Sequence, residues 1–228
     1  MSEAPDHDLA RRMAELARTV ATPYRVDDVL SEVTAEIMSL IPGTSAAGVL
    51  FVGKDGGFRS VAGTSDLPQK LDELQMKFRE GPCLDAATRE LIVRTDDFRT
   101  EHRWPAYSPA AVELGVLSSL SFKLYTSSST AGALNLFSTE VNAFGAGDET
   151  IGTVLAAHAA AAIMASRNTE QLESALATRD RIGQAKGIIM ERYNVTDVAA
   201  FEMLRKLSQD SNVKLAEVAE RVIDTRGT

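Results

Sequence analysis

Side chains that could perform catalysis are few in this sequence. The three histidines are His7, His102 and His158, and the only cysteine is Cys83. The metal-binding HExxH and CxxC motifs, the phosphate-binding GxxxxGK[ST] loop and the nucleophile motif GxSxG are all absent from the chain. The sequence therefore predicts a protein that is not an enzyme.

Two interpretations remain open for Cys83. It follows Gly81-Pro82 and opens a short predicted helix, and a helix N-terminus lowers the pKa of a thiol, which would make Cys83 reactive. Alternatively, it packs as a small apolar side chain, the more common position for a free cysteine. A disulfide-based redox cycle needs a second cysteine, which this chain does not contain.

A different kind of chemistry is suggested by the stretch from Arg181 to Ile223, where exposed cations accompany three predicted helices. Its apolar positions recur every three or four residues: Ile182, Ala185, Ile189 and Tyr193, then Val198, Phe201, Leu204 and Leu207, then Leu215, Val218, Ala219 and Val222. The breaks fall at 194–196, where Thr196 is a candidate N-cap, and at 210–212. Three short helices bury a small shared core but enclose no active site, so such a unit binds a partner with its outer face.

This stretch resembles the ANTAR domain, an RNA-binding three-helix module of bacterial transcription antiterminators. The resemblance is carried by three groups of residues at fixed spacings: Gln184 to Met190, then Ala200-Phe201 with Leu204-Arg205, then Asn212 to Leu215 with Val218-Ala219. It implies RNA contact by Gln184, Ala185, Lys186, Gly187, Arg205, Asn212 and Lys214. RNA loops are read through unstacked bases and phosphates, for which cations and amides are suited. Without the resemblance, the three cations would be interpreted as a solvated face, and Ala185 as part of the core.

The charge of the chain is distributed unevenly. The formal net charge is -8, which argues against nucleic-acid binding over the whole surface. From residue 179 onward, however, nine Lys and Arg face eight Asp and Glu, whereas the remainder has fifteen against twenty-four. A single cysteine fits a reducing compartment. We see neither a signal peptide nor a run of about twenty apolar residues. The expectation is a cytoplasmic protein with no membrane partner.

The N-terminal half alternates helices and short apolar strands. Strands are predicted at 46–52, 58–62, 91–94, 116–124 and 132–138, and helices from residue 27 to about 40 and at 67–78, 83–90 and 104–114. Polar turns at 53–57 and 125–130 separate two hairpins. Asp148 is expected to cap a long helix that begins at Glu149. This order predicts an α+β domain in which helices pack on an antiparallel sheet.

Residues 25–165 resemble a GAF domain, the small sensory module of bacterial signalling proteins. The matching residues are Glu80 to Cys83, Gly115 to Ser119, Gly132 to Leu136, and Phe144 ahead of Asp148. GAF domains often hold a small molecule against the sheet, such as a cyclic nucleotide, haem or a linear tetrapyrrole. The candidate ligand-binding residues here are Phe98, His102, Trp104 and Tyr107, or these side chains simply fill the core. The sequence identifies neither a cofactor nor a ligand.

The long helix after Asp148 leads to a proposed domain order. Residues 1–24 are assigned to an N-terminal helix, 25–165 to the GAF-like domain, 166–180 to a helical linker and 181–228 to the ANTAR-like domain. The apolar spacing of Asp8–Val20 suits packing on its own domain or a dimer interface. Ala175, Ile182 and Ile189 lie seven apart, a short heptad pattern that favours a coiled-coil stalk and a homodimer over an exposed single helix.

Taken together, these features predict a signal-responsive regulator that prevents transcription termination by binding RNA hairpins. Two alternatives remain. Three short helices can form a DNA-binding helix-turn-helix, although the second helix carries Asp197 and Glu202 beside its cations. The GAF-like half could also act as a ligand or redox sensor with a protein-protein output.

Overall fold

The computed structural model describes residues 25–53, 57–124 and 130–225. The predicted helix at 8–20 lies outside these ranges, and so do most residues of the two predicted hairpin turns, 53–57 and 125–130. The chain divides into two compact units, Met1–Ser166 and Arg167–Thr228, which are described separately below.

The first unit is built on a five-stranded antiparallel sheet. Its strands are β1 (Ala46–Gly53), β2 (Phe58–Val61), β3 (Ile92–Thr95), β4 (Ser118–Leu124) and β5 (Thr130–Ser138), in the order β2-β1-β5-β4-β3. β1 pairs with β5 from Ala46 opposite Phe137 to Gly53 opposite Thr130. Successive residues of each strand face opposite sides of the sheet. The α+β class predicted from the sequence is confirmed.

Helices cover both faces of this sheet. Their bounds are α1 (Val26–Leu40), α2 (Leu67–Phe78), α3 (Pro82–Thr88), α4 (Tyr107–Glu113) and the first part of α5 (Ala146–Tyr193). On one face, Leu120, Phe122 and Leu134 form an apolar core with α1 and α5. Gly152 lets α5 approach the sheet closely, because a Cβ there would overlap the Phe122 ring of β4. On the other face, Ala133 and Phe137 pack under α2, α3 and α4.

The start of α5 differs from the sequence expectation. The helix begins at Ala146 rather than Glu149, and Asp148 lies within its first turn. There the Asp148 carboxylate accepts a hydrogen bond of 2.8 Å from the Gly145 N–H, just before the helix. The carboxylate thus stabilises the helix start from inside, where negative charge is also favoured by the helix dipole.

One segment within the described residues, Ala146–Ser166, is long and apolar enough to cross a membrane, by length and composition alone. The core helix of a globular domain has the same composition, and Leu155, Ala159 and Ile163 of this segment are buried in the core on the sheet.

The second unit is a helical trio. The end of α5 packs with α6 (Asp197–Ser211) and α7 (Leu215–Asp224) around a small core of Ala185, Ile189, Ala200, Leu204, Val218 and Ala219. The Thr196 hydroxyl accepts a hydrogen bond from the Ala199 N–H, which confirms the predicted N-cap. Asn212, with φ of 50°, ends α6 in the left-handed conformation that asparagine tolerates.

Three residues predicted to be buried in this unit are exposed instead. Val198 lies two residues before Ala200, about 200° away around the helix, and so points away from the core. Tyr193 is the last residue of α5, where no further turn covers it. Leu207 lines an open groove beside Val218 and Val222, so that it is only half covered.

Candidate nucleic-acid interface and sensor core

Lys186, a cation of the second unit, contacts both a carboxylate and an aromatic ring. Its ammonium forms an ion pair with the Asp197 carboxylate at 2.5 Å and lies 5.9 Å from the centre of the Phe201 ring. The two partners come from the first two turns of α6, so the contact between α5 and α6 fixes the position of the lysine. A cation over an aromatic face is attracted by the ring quadrupole.

An open groove runs beside Lys186 between α5 and α6. Its volume is about 410 Å³, and it is lined by Ala175, Thr178, Arg179, Ile182, Gly183, Lys186 and Phe201. We call this surface the Phe201 groove. Arg179 and Lys186 both line it because seven residues make about two helical turns, which returns to the same face of α5.

The other predicted RNA-binding residues are spread over the unit. Gln184 lies about 200° around α5 from Lys186, on the opposite side, where it is exposed. Gly187 is also exposed, and among the described residues nothing lies within 4 Å of where its Cβ would be. Ala185 is fully buried in the helical core. Its side chain therefore packs rather than facing the surface.

The remaining predicted residues lie along α6 and at the start of α7. The Arg205 guanidinium is exposed and donates to the Glu202 carboxylate at 2.6 and 3.1 Å. Asn212 and Lys214 are exposed, and the backbone carbonyl of Lys214 accepts the first hydrogen bonds of α7. Arg205 follows Phe201 by one turn on the same side of α6, which extends the basic surface beyond the Phe201 groove.

Two groove residues, Arg179 and Phe201, were not among the RNA-binding residues predicted from the sequence. The seven-residue spacing from Arg179 to Lys186 was available in the sequence. So was the four-residue spacing from Phe201 to Arg205. Both spacings place the paired residues on one helix face, and this signal could have identified the surface.

In the first unit, three of the four predicted ligand-binding residues form one aromatic cluster. The ring centres of Phe98, Trp104 and Tyr107 lie 5.8 to 6.5 Å apart, and all three side chains are buried. The Trp104 Nε1–H donates to the Asp85 carboxylate at 2.9 Å. The cluster therefore fills space under α3 and α4, and Asp85 is the hydrogen-bond acceptor for its indole N–H.

His102 lies apart from this cluster. It is exposed and lines an open surface groove of about 330 Å³ together with Asp97, Glu101 and Arg103. The Arg103 guanidinium forms an ion pair with Glu101 at 2.6 Å and stacks 4.4 Å from the centre of the Trp104 ring. Arg103, which lines the same groove as His102, therefore covers the Trp104 ring of the aromatic cluster.

A buried polar cluster, which the sequence did not reveal, lies on the same face of the sheet. The Gln75 side chain donates to the Cys83 Sγ at 2.8 Å and accepts from the Cys83 N–H at 2.8 Å. It also donates to the Asp72 carboxylate at 3.4 Å. Gly81, with φ of 135°, is required here because a Cβ would overlap the Gln75 side chain.

Burial sets the protonation of this cluster. Burial, and secondarily the nearby Asp72, raise the pKa of the Cys83 thiol well above its usual range, so the thiol stays protonated. The full burial of Cys83 and the direction of this pKa change favour the packing interpretation over the reactive one, because burial of a thiolate is costly. Burial also raises the pKa of Asp72 to about 7, although a hydrogen bond from Ser60 opposes the change.

Within the described ranges, no group of three His, Cys, Asp or Glu side chains is arranged to hold a metal ion. Two features remain: the cations Arg179, Lys186 and Arg205 on the second unit, and the buried polar and aromatic clusters in the core of the first.

Comparison with known proteins assigns the two units. The sequence profile of the GAF domain matches residues 24–164, and that of the ANTAR domain matches residues 170–223. The chain belongs to the GAF domain family and carries an ANTAR domain after the GAF domain. It thus joins a sensor-type domain to a domain of the RNA-binding antiterminator class, and neither domain type is catalytic.

Solved structures show the same fold at low sequence identity. The GAF domain of a phosphoenolpyruvate-protein phosphotransferase from Coxiella burnetii is 20% identical, with a TM-score of 0.55 over 72% of this chain and 96% of that one. The N-acylhomoserine lactone-dependent LuxR-family transcription factor CepR2 from Burkholderia cenocepacia is 14% identical, with a TM-score of 0.56 over 71% and 99%. These similarities establish the fold alone. No curated protein matches the chain.

Proposed function

We propose that this protein is a signal-responsive RNA-binding regulator that prevents transcription termination by binding hairpins in nascent RNA. The observation that supports it is the joining of a GAF domain to an ANTAR domain whose outer face carries Arg179, Lys186 and Arg205. In this proposal the GAF domain is the sensor, and the ANTAR domain is the output.

The first test compares RNA with DNA. Purified full-length protein should shift a hairpin RNA in a gel at fixed salt and should bind duplex DNA of matched length more weakly. The salt concentration must be stated, because phosphate contacts make affinity salt-dependent. Preference for duplex DNA would contradict the proposal and favour the helix-turn-helix alternative.

Removal of either of two cations, Lys186 or Arg205, should weaken RNA binding without unfolding the domain. We expect Lys186→Ala and Arg205→Ala each to lower the affinity about fivefold to tenfold and to reduce its salt dependence, because each would lose a phosphate contact. The measurement is a binding titration at two salt concentrations, with circular dichroism to verify the fold.

The matched control for this test is Lys206→Ala. Lys206 is an exposed cation of the same helix, one residue and about 100° around from Arg205, and it was not among the predicted contacts. Its removal changes the net charge equally, and the affinity should stay within about twofold. Equal losses in all three variants would show that only overall charge matters, and the assigned face would be wrong.

We also propose that the protein is a homodimer through a stalk formed by α5. Leu172 and Leu176 are 64% and 52% exposed on this helix. Burial of each against a second copy would contribute about 1.5–3 kcal/mol. A signal received by the GAF domain would alter the pairing of the two helices near residues 165–180, and with it the presentation of two ANTAR domains to two hairpins.

Cysteine crosslinking tests the stalk. Leu172→Cys or Leu176→Cys should form intermolecular disulfides under mild oxidation, as seen by non-reducing electrophoresis. The native Cys83 is fully buried and should not compete. Glu173→Cys is the control, because this exposed position lies about 100° around the helix from Leu172 and should crosslink poorly. Thiols that react with maleimide but form no disulfide at 172 or 176 would exclude the stalk.

A further inference from the structure

The Phe201 groove has a feature that general electrostatic binding does not explain, namely an aromatic ring that lines it together with two cations. Phe201 is part-exposed on α6, while its neighbours Ala200 and Leu204 fill the helical core. Its ring faces Lys186, and Arg179 lines the same groove from the preceding part of α5. The ring is therefore placed for contact with something outside the core.

We propose that the Phe201 groove receives one unstacked base of an RNA hairpin loop, stacked on the Phe201 ring, while Lys186 and Arg179 contact the adjoining phosphates. This inference rests on the proposed RNA-binding function and assigns the site within it. Unstacked loop bases commonly stack on aromatic side chains of RNA-binding proteins. The groove supplies such a ring together with cations for the backbone.

The size of the groove fits a single base. Its volume of about 410 Å³ falls within the range of about 300–1,000 Å³ that is usual for small-molecule sites. Ala175, Ile182 and Gly183 contribute small or apolar lining to the groove. Because the groove is open, a flat base can lie in it while the rest of the loop remains outside.

The charges near the groove are compatible with a phosphate. Lys186 is held by Asp197 in a partly exposed ion pair, in which the two side chains are 22% and 64% exposed. Surface ion pairs are weak, which means that a phosphate can recruit the lysine at little cost. Asp197 itself would repel the phosphate, and Asp197→Asn is therefore expected to increase RNA affinity about twofold to fivefold.

Substitution of Phe201 separates stacking from packing. Phe201→Leu keeps an apolar side chain but removes the flat ring, and it should lower hairpin affinity about tenfold or more, because base stacking contributes strongly to such sites. Phe201→Tyr keeps the ring and should bind within about twofold of the wild type. An abasic nucleotide at the stacked loop position should abolish the difference between the wild type and Phe201→Leu.

A fluorescence experiment reports the contact directly. Tryptophan in Phe201→Trp should be quenched as hairpin RNA is added, in step with binding measured by gel shift. Leu207→Trp is the matched control, because Leu207 is on the same helix but lies in a different groove, and its emission should stay unchanged. Trp104, the single native tryptophan, is buried in the first unit and gives a constant background.

The outcomes separate this inference from the function on which it rests. If the wild type binds no hairpin RNA, the proposed function fails. If it binds, but Phe201→Leu binds equally well or Phe201→Trp is not quenched at saturation, the base site is overturned. A change in oligomeric mass of Phe201→Leu by light scattering, with RNA affinity retained, would overturn it in favour of a second copy covering the groove. If Phe201→Leu fails to fold, the two tryptophan variants decide.

Discussion

Replacement of Asp72 by asparagine should stabilise the GAF domain at pH 8 and change its stability little near pH 4. The Asp72 carboxyl is buried and has a pKa of about 7 in the folded domain, against an ordinary value of 3.8. Between these values the folded chain holds a proton that the unfolded chain has released. Stability therefore falls as the pH rises from about 4 to about 7, since proton release then favours unfolding.

The size of this effect follows from the difference between the two pKa values. One pKa unit corresponds to about 1.4 kcal/mol, so the buried carboxylate costs the folded domain roughly 4 kcal/mol above pH 7, as an upper figure. An asparagine side chain at this position would keep the shape and an acceptor for Gln75 without the charge. We expect Asp72→Asn to gain roughly 2–4 kcal/mol at pH 8 and less than about 1 kcal/mol at pH 4.

Urea denaturation at the two pH values checks this expectation, with Trp104 as the reporter. Trp104 is the single tryptophan of the chain and packs in the same core, so its emission follows the unfolding of the GAF domain. Glu113→Gln removes an exposed carboxylate from the same unit and should keep the wild-type pH dependence. Parallel pH curves for Asp72→Asn and the wild type would show that the Asp72 carboxylate is not the cause.

The sheet and its helices were largely predictable because their signals are local. β4 and β5 are apolar runs bounded by turn residues, and α2 was predicted at its observed bounds, Leu67–Phe78. The helical trio was equally visible, since Thr196 and Asn212 mark its two breaks with residue types that suit a cap and a left-handed turn. Both family resemblances are confirmed by the comparisons.

The buried polar cluster was not predictable because it depends on tertiary packing. Asp72 and Gln75 sit on an amphipathic helix, where a carboxylate and an amide are normally expected to face water. Only the packing of α2 against α3 and the sheet encloses them, and only there does Gln75 meet Cys83. No spacing in the sequence joins residues that come together in this way.

The same limit applies to the depth of burial in the helical trio. Apolar spacing correctly identified Leu204 but gave the same weight to Leu207, because periodicity reports a face and not the extent to which neighbouring helices cover it. Leu204 is 0% exposed, whereas Leu207 is 50% exposed in the same helix. This pair therefore offers a direct test of how the small core is built.

Leu204→Ala should unfold the ANTAR domain or leave it marginal, and RNA binding should fall below detection. Truncation of a buried leucine costs about 2–5 kcal/mol, because apolar contacts are lost and a cavity remains. The unit Arg167–Thr228 has one small core, and domains of this size have little stability to spare. A loss of this size is comparable with the whole stability expected for such a unit.

Leu207→Ala makes the identical chemical change three residues away and should cost less than about 0.5 kcal/mol, as surface substitutions usually do. Far-UV circular dichroism and limited proteolysis of the full chain measure the helical trio, while Trp104 emission verifies that the GAF domain remains folded. Equal destabilisation by both variants would contradict the assigned core. Loss of RNA binding in Leu204→Ala alone would show that the cations act only when this core holds α5 and α6 together, as expected if Lys186 and Phe201 form one surface.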